Sequence, residues 1–299
     1  LIQAYEVNKY IPPKGAGEAR VTTEREDKTA EPPKRKEAVF LATFKFKGTK
    51  FRFDRYDIDN GRKGQLIERQ IDTGEESYGY LPGKNAFRDK GGPPSHEWGE
   101  LGYDFTPRSM NAAWSRSAVL RFPKLIGKAD DFRTIFRDDG LLEVKISISD
   151  PSGPNGRASY VFDPSLHYRL LKVDDTTVFG DGTTFEVHYT AKYDRDSSKP
   201  YPTFVRKTKR RNPPGSKKAS TYIRTVEITD FDADAQVTDK DFTFDSLGVP
   251  AGLWVGDALR DTHYRYRASG EKATSLQRLK KWPLMDEIQK ALPEGGNKK

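Results

Sequence analysis

The sequence predicts an α+β fold, a strongly curved antiparallel β-sheet of about a dozen strands. It would form an unclosed half-barrel with helices covering the concave face. Three observations lead there. Apolar and charged residues alternate with period two over most of the stretch from Gly15 to Arg267, the mark of strands with one buried face. Helical spacing is confined to a few short stretches. The order strands, helix, strands suits an antiparallel sheet with its helices on one side. Only 34% of the residues are hydrophobic, but a sheet with a single buried face needs fewer apolar residues than a two-sided one.

Taken in order, residues 1–11 read as the end of a helix that Pro12-Pro13 stops, so 1–14 form a helix end and linker. GEARVTTERE (17–26) is a first strand, followed by a polar, Pro-rich loop (27–36). The strongest local signal is VFLATFKFKGTKFRFD (39–54). Gly48-Thr49 suits a two-residue hairpin turn with positive φ at the glycine. That register pairs Phe46 with Phe51 and Phe44 with Phe53. It puts all four rings on one face and Lys45, Lys47, Lys50 and Arg52 on the other. A sheet core is the plain reading of these rings, and a ligand lining is the sharper one. A second hairpin, 65–72 with 76–82, turns at Asp72-Thr73-Gly74.

An irregular insert rich in Gly and Pro runs over 83–122, with a helical candidate at 109–120. Residues 124–138 place Leu125, Ala129, Phe132 and Phe136 on one helical stripe, and Gly140 fits its C-terminus. Strands return at 141–148, 158–163, 166–173, 184–194, 201–208, 220–231, 241–247, 252–257 and 262–267. Short helical candidates at 272–282 and 283–292 lie in a C-terminal tail, 269–299, which ends in a polar stretch that reads as disordered. The domain proper therefore spans 15–268.

No apolar run approaches the roughly 20 residues a bilayer span needs. The chain has no cysteine, which removes disulfides, thiolate metal sites and cysteine nucleophiles. Nucleophile-elbow and phosphate-loop motifs are missing. His96-Glu97-Trp98 lacks the second histidine of a zinc-binding helix, and the other histidines, His167, His188 and His263, have no ligand spacing. Asp57, Asp59 and Glu68 imitate a calcium loop, but Gly61 and Arg62 stand where an oxygen ligand and a glycine belong. Asp230, Asp232 and Asp234 meet Ala235 at the glycine position. These features predict a non-enzymatic protein with no metal and no cofactor; the alternative is an enzyme whose triad or metal site is assembled in space from distant residues.

The net charge is +8, and much of the excess is local. Arg206, Lys207, Lys209, Arg210, Arg211, Lys217 and Lys218 share one hairpin segment around Pro213-Pro214-Gly215. They suit a polyanion such as lipid phosphates or an acidic glycan. Nucleic acid fits least, because no aromatic interleaves with them in sequence. A solvated loop, partly neutralised by the acidic run 230–245, is the plain alternative.

The sequence also resembles a family. FKFKGTKFRFD, Tyr78-Gly79-Tyr80-Leu81-Pro82-Gly83, Phe162-Asp163-Pro164, Tyr201-Pro202-Thr203, Phe242-Thr243-Phe244 and Leu247-Gly248-Val249-Pro250-Ala251-Gly252 are similar to the LolA-like group of exported bacterial proteins. That group includes outer-membrane lipoprotein carriers, mycobacterial lipid-binding lipoproteins and the periplasmic sensor RseB. The likeness is closest to LolA-like exported proteins of planctomycete-type bacteria. It implies an open half-barrel whose helix-covered apolar hollow takes acyl chains. The positions that match the lining are Phe44, Phe46, Phe51, Phe53, Val144, Ile146, Phe185, Val187, Tyr189, Phe242 and Phe244. The implied setting is the periplasm or cell envelope, with a lipid or lipoprotein as partner. The start at Leu1 reads as a processed terminus, any signal peptide lying upstream. Two readings follow. One is acyl-chain binding under a lid helix near 125–137. The other is an envelope sensor or adaptor with a filled hollow, which uses its outer surface and basic hairpin against an anionic surface or a protein.

Overall fold

The computed structural model describes residues 14–27, 34–48, 50–90, 129–149, 155–166, 168–194, 202–215 and 219–266. They form one unclosed sheet of 15 strands. The first six are β1 (Lys14–Asp27), β2 (Lys34–Lys47), β3 (Lys50–Asp59), β4 (Arg62–Asp72), β5 (Glu76–Leu81) and β6 (Asn85–Lys90). Next come β7 (Asp131–Phe136), β8 (Leu142–Ile148), β9 (Asn155–Asp163), β10 (Arg169–Val178) and β11 (Thr184–Tyr193). The last four are β12 (Pro202–Asn212), β13 (Ser220–Asp232), β14 (Trp254–Asp257) and β15 (Thr262–Arg265). The strand order is β15-β14-β6-β5-β4-β3-β2-β1-β13-β12-β11-β10-β9-β8-β7. Neighbours are antiparallel except β14, which lies parallel to β6. Two meanders thus meet where β1 pairs with β13 over a long ladder.

The expected register of the β2–β3 hairpin is present: Phe46 faces Phe51 and Phe44 faces Phe53, across Gly48 at φ +56°. The next turn is Asn60-Gly61, with φ of 51° and 77°, a pair suited to a tight hairpin. The residues that imitate a calcium loop therefore belong to the β3–β4 hairpin.

Three expectations bear on these elements. First, the described residues do not show helices covering the concave face: their helical elements are short 3-10 turns at Pro164–Leu166, Asp239–Phe242 and Asp245–Leu247. Second, the stripe read as a lid helix over 125–137 is strand β7 from Asp131 onward, paired with β8. Phe132 and Phe136 are four apart, a spacing that also fits the two-residue period of a strand. Gly140, at φ +81°, turns a hairpin and caps no helix. Third, 241–247 is not a strand. Asp241 accepts hydrogen bonds from the Thr238 amide (2.9 Å) and hydroxyl (3.2 Å), and the Ser246 hydroxyl donates to the Asp241 carbonyl (2.9 Å). Such local side-chain bonds compete with a strand ladder.

Strand β6 also occupies the first part of the stretch read as irregular. Residues 1–13, 91–128 and 267–299, including the helical candidates 1–11, 109–120, 272–282 and 283–292, lie outside the described residues.

Side chains bury on both faces of the sheet. One face carries an apolar cluster drawn from β1–β3 and β8–β13, including Val21, Phe40, Phe44, Phe46, Phe53, Val144, Tyr160 and Val226. The opposite face of β4–β6 is covered by the segment 235–266, through Ile71, Tyr80, Ala86, Val237, Phe242, Leu247 and Val255.

Candidate binding surfaces

The apolar face is built around glycines. Gly15 and Gly17 of β1 stand opposite Phe46 and Phe44. A Cβ at Gly17 would lie 2.7 Å from the Phe44 ring and 2.4 Å from the Asp230 carbonyl oxygen. The missing side chains let both rings lie across β1 and reach Phe231 of β13, at 6.2 Å from Phe44 and 6.1 Å from Phe46. The signal for this was the Gly15-Ala16-Gly17 run inside an alternating strand, which sequence reasoning passed over.

Of the lining set implied by the resemblance, Phe44, Phe46, Phe53, Val144, Ile146 and Tyr189 share this face and are buried. Phe51 and Val187 are half-buried there, and Phe185 is exposed. Phe242 and Phe244 are not brought to it. Phe242 ends one 3-10 turn and Phe244 precedes the next, both against the other face, where Phe244 meets Tyr78 edge-on at 5.6 Å.

Near β4 the same face turns polar. Arg55 lies 4.3 Å over the Phe40 ring, with its Nη1 4.0 Å from Oε2 of Glu68. Glu68 is 2% exposed and its Oε1 accepts from Gln70 at 2.6 Å. Burial pushes its pKa up to about 7, against the pull of Arg55 and Gln70.

The opposite face of the β2–β3 hairpin holds a charge network. Buried Asp54 accepts from Arg52 Nε and Nη2 (both 3.1 Å) and from Arg69 Nε (2.9 Å). The same two arginines donate to the carbonyls of Ser246 (3.1 Å) and Leu247 (2.7 Å). Lys45 pairs with Asp241 at 2.6 Å, while Lys47 and Lys50 share Asp239 at 3.0 and 2.8 Å. The acidic run therefore neutralises this hairpin, and the expectation that it serves the basic hairpin is corrected. Beside the network lies a 330 Å³ cavity lined by Glu18, Thr43, Lys45, Arg52, Asp54, Asp230 and Asp232, among others. Its lining is mixed in charge, and the charged side chains are those of the face away from the apolar cluster.

The basic hairpin is split by the strand period. Lys207, Lys209 and Arg211 follow the apolar face of β12, and Arg206 and Arg210 the opposite one. Arg206, Arg210 and Arg211 are exposed. Arg210 lies 3.7 Å from Glu186, and Arg211 stands 5.8 Å over the Phe185 ring. Lys217 and Lys218 lie outside the described residues.

His188 Nδ1 is 2.8 Å from Asp174, which also binds Lys172 at 2.7 Å. His263 is on β15, remote from β11 in the strand order. His96 and His167 lie outside the described residues. Among the described residues no group of three acidic or histidine side chains is placed to hold a metal ion, and no helix is long and apolar enough to cross a membrane.

No protein-family model matches the chain, and no curated protein matches it either. Among solved structures it is similar to a crystal structure from Vibrio parahaemolyticus named as an outer membrane lipoprotein-sorting protein domain. The identity is 16%, the match covers 83% of this chain and 97% of that one, and the TM-score is 0.42.

Proposed function

We propose that the chain is a non-enzymatic binding protein of the bacterial cell envelope that meets an anionic partner through the exposed basic end of β12. In this reading its concave apolar face is filled by its own side chains. The supporting observation is the contrast in burial along the lining. Phe44, Phe46, Phe53, Val144 and Ile146 are no more than 2% exposed, as in a close-packed protein interior. An acyl chain would have to displace them. Arg206, Arg210 and Arg211, by contrast, face solvent. Charge reversal of all three should abolish retention on a heparin column at low salt. Unchanged retention would sink this reading.

A second reading, acyl-chain or lipoprotein binding on the apolar face, has its own observation. Phe185 is exposed and Phe51 and Val187 are only half-buried on that face, so its lining is open at the rim. Removing an acyl chain from water there would yield about 25 cal/mol per Å². The chain purified from a bacterial host should then bring lipid detectable by mass spectrometry. It should also bind a fluorescent fatty acid saturably, and neither would occur if the face is core alone.

A further inference from the structure

The turn joining β10 to β11 is an apolar projection on a basic rim. Turns are ordinarily polar, yet Phe179 stands in this one at 41% exposure, between Val178 at the end of β10 at 40% and Phe185 early in β11 at 38%. The tip is held in shape. The Phe179 amide donates to the Thr183 carbonyl at 2.9 Å, and the Gly182 amide to the Phe179 carbonyl at 2.8 Å. Asp181 accepts from both the amide (2.8 Å) and the hydroxyl (2.9 Å) of Thr183. The two phenyl rings meet edge-on at 5.4 Å. Gly182 adopts φ +78°, and a Cβ there would lie 3.3 Å from the Pro214 side chain. That close approach sets the β12–β13 turn beside the β10–β11 turn.

The ladder then places charge next to the rings. Arg211 is the direct cross-strand partner of Phe185, Arg210 of Glu186 and Lys209 of Val187. The acids at this rim are Asp181, which bonds from Thr183 and a smaller pull from Arg211 hold below its ordinary range and so ionised, and Glu186, near Arg210 and His188. Rings of this size beside guanidinium groups fit the boundary between acyl chains and anionic headgroups. The apolar part enters the boundary, and the cations stay with the phosphates. A soluble polyanion would use the arginines and leave the rings in water.

We propose that the β10–β11 turn, with Phe179 and Phe185 beside Arg211 and with Arg210 on the other face of the same rim, is a docking tip for an anionic lipid bilayer. This rests on the proposed anionic-partner reading and names the partner. The test uses the full chain, with vesicles of equal parts phosphatidylcholine and phosphatidylglycerol, vesicles of phosphatidylcholine alone, and heparin as a soluble polyanion. The wild-type chain should sediment with the anionic vesicles, lose them at high salt and ignore the neutral ones. The double variant F179S/F185S, which removes the rings without adding charge, should bind anionic vesicles about tenfold more weakly or worse and keep its heparin retention. The variant R210E/R211E should lose both.

Vesicle binding by F179S/F185S at the wild-type level would overturn the tip while leaving the anionic-partner reading standing. Retention of R210E/R211E on both supports would overturn that reading itself. Heparin retention without vesicle binding by the wild-type chain would point to a soluble or protein partner and end the bilayer proposal. A conservative variant guards against misfolding: the fluorescence of Phe179→Trp should be quenched by brominated lipid beyond the wild-type level on anionic vesicles. Equal quenching would also overturn insertion of the tip.

Discussion

Two hairpins of this sheet carry dense positive charge and treat it in opposite ways. On β2–β3, Lys45, Lys47, Lys50 and Arg52 are met by Asp239, Asp241 and the carbonyl of Ser246. On β12, Arg210 has Glu186 at 3.7 Å, and Arg211 has an aromatic ring. The first set is structural: it fastens the segment 235–266 to the sheet. The second faces solvent beside an apolar tip. Local density of cations is alike in the two, so density alone does not mark a binding surface. What separates them is where the acids of the distant chain come to rest.

The largest expected effect probes the fastened hairpin. Asp54 is buried between Arg52 and Arg69, which are themselves mostly covered. Asp54→Ala leaves two guanidinium groups without their carboxylate, and breaking such a pair costs about 3–5 kcal/mol. Urea denaturation should show a loss of that order. A loss below about 1 kcal/mol, as for surface pairs, would mean the network is a surface decoration and would erase the contrast.

The next effect concerns Glu68, a buried carboxyl whose counter-charge is only partial. Its folded pKa of about 7 lies above the roughly 4.3 of an unfolded chain. The folded state therefore holds the proton more tightly, and stability falls as pH rises through the window between those values. The full span corresponds to a loss on the order of 3 kcal/mol. Glu68→Gln should flatten this fall, measured as the midpoint of thermal unfolding against pH. A profile unchanged by the substitution would assign the slope to other groups.

These cases also show what was legible in the sequence. The Phe44–Phe53 register and the mixed faces of the first hairpin followed from alternation and one glycine, because both signals are local. The pairing of Lys45 with Asp241 spans 196 positions and left no local trace. β7 was misread because Phe132 and Phe136 satisfy both periods, and only the pairing with β8 decides between them. The stretch 241–247 reads as a strand because Phe242-Thr243-Phe244 alternates, while the hydrogen bonds of Asp241 and Ser246 that break the strand depend on geometry. Phe179 went unnoticed, since a lone aromatic in a turn has no pattern until the ladder sets Arg211 beside Phe185.

A smaller effect separates the two roles of the acidic run. Burial works against the ionised form of Asp241, but hydrogen bonds from Lys45 and Thr238 outweigh it and hold the carboxyl below its ordinary range. A depressed folded pKa adds stability above the unfolded value of about 3.9, and that stability is lost as pH falls through the folded one. Asp241→Asn keeps an acceptor oxygen for Thr238 but removes the charge that faces Lys45, and should cost up to about 1 kcal/mol near neutral pH, the range of such partly exposed pairs. The cost should fade in acid. A cost that persists undiminished at low pH would assign it to packing of the turn and not to charge.

The smallest effect on stability belongs to the other hairpin and is the reason the comparison can be tested cleanly. Arg210 and Arg211 are exposed, and neither donates to a buried group. Substitutions at such positions usually change stability by no more than about 0.5 kcal/mol. Reversal to glutamate should therefore leave the urea midpoint nearly unmoved, whereas Asp54→Ala shifts it strongly. The Arg210–Glu186 and Arg211–Phe185 contacts are lost in that variant, and both are open to water and salt, so their loss is small. A marked destabilisation by R210E/R211E would show that these cations hold the β11–β12 ladder together. A change in vesicle or heparin binding could then no longer be assigned to the surface alone.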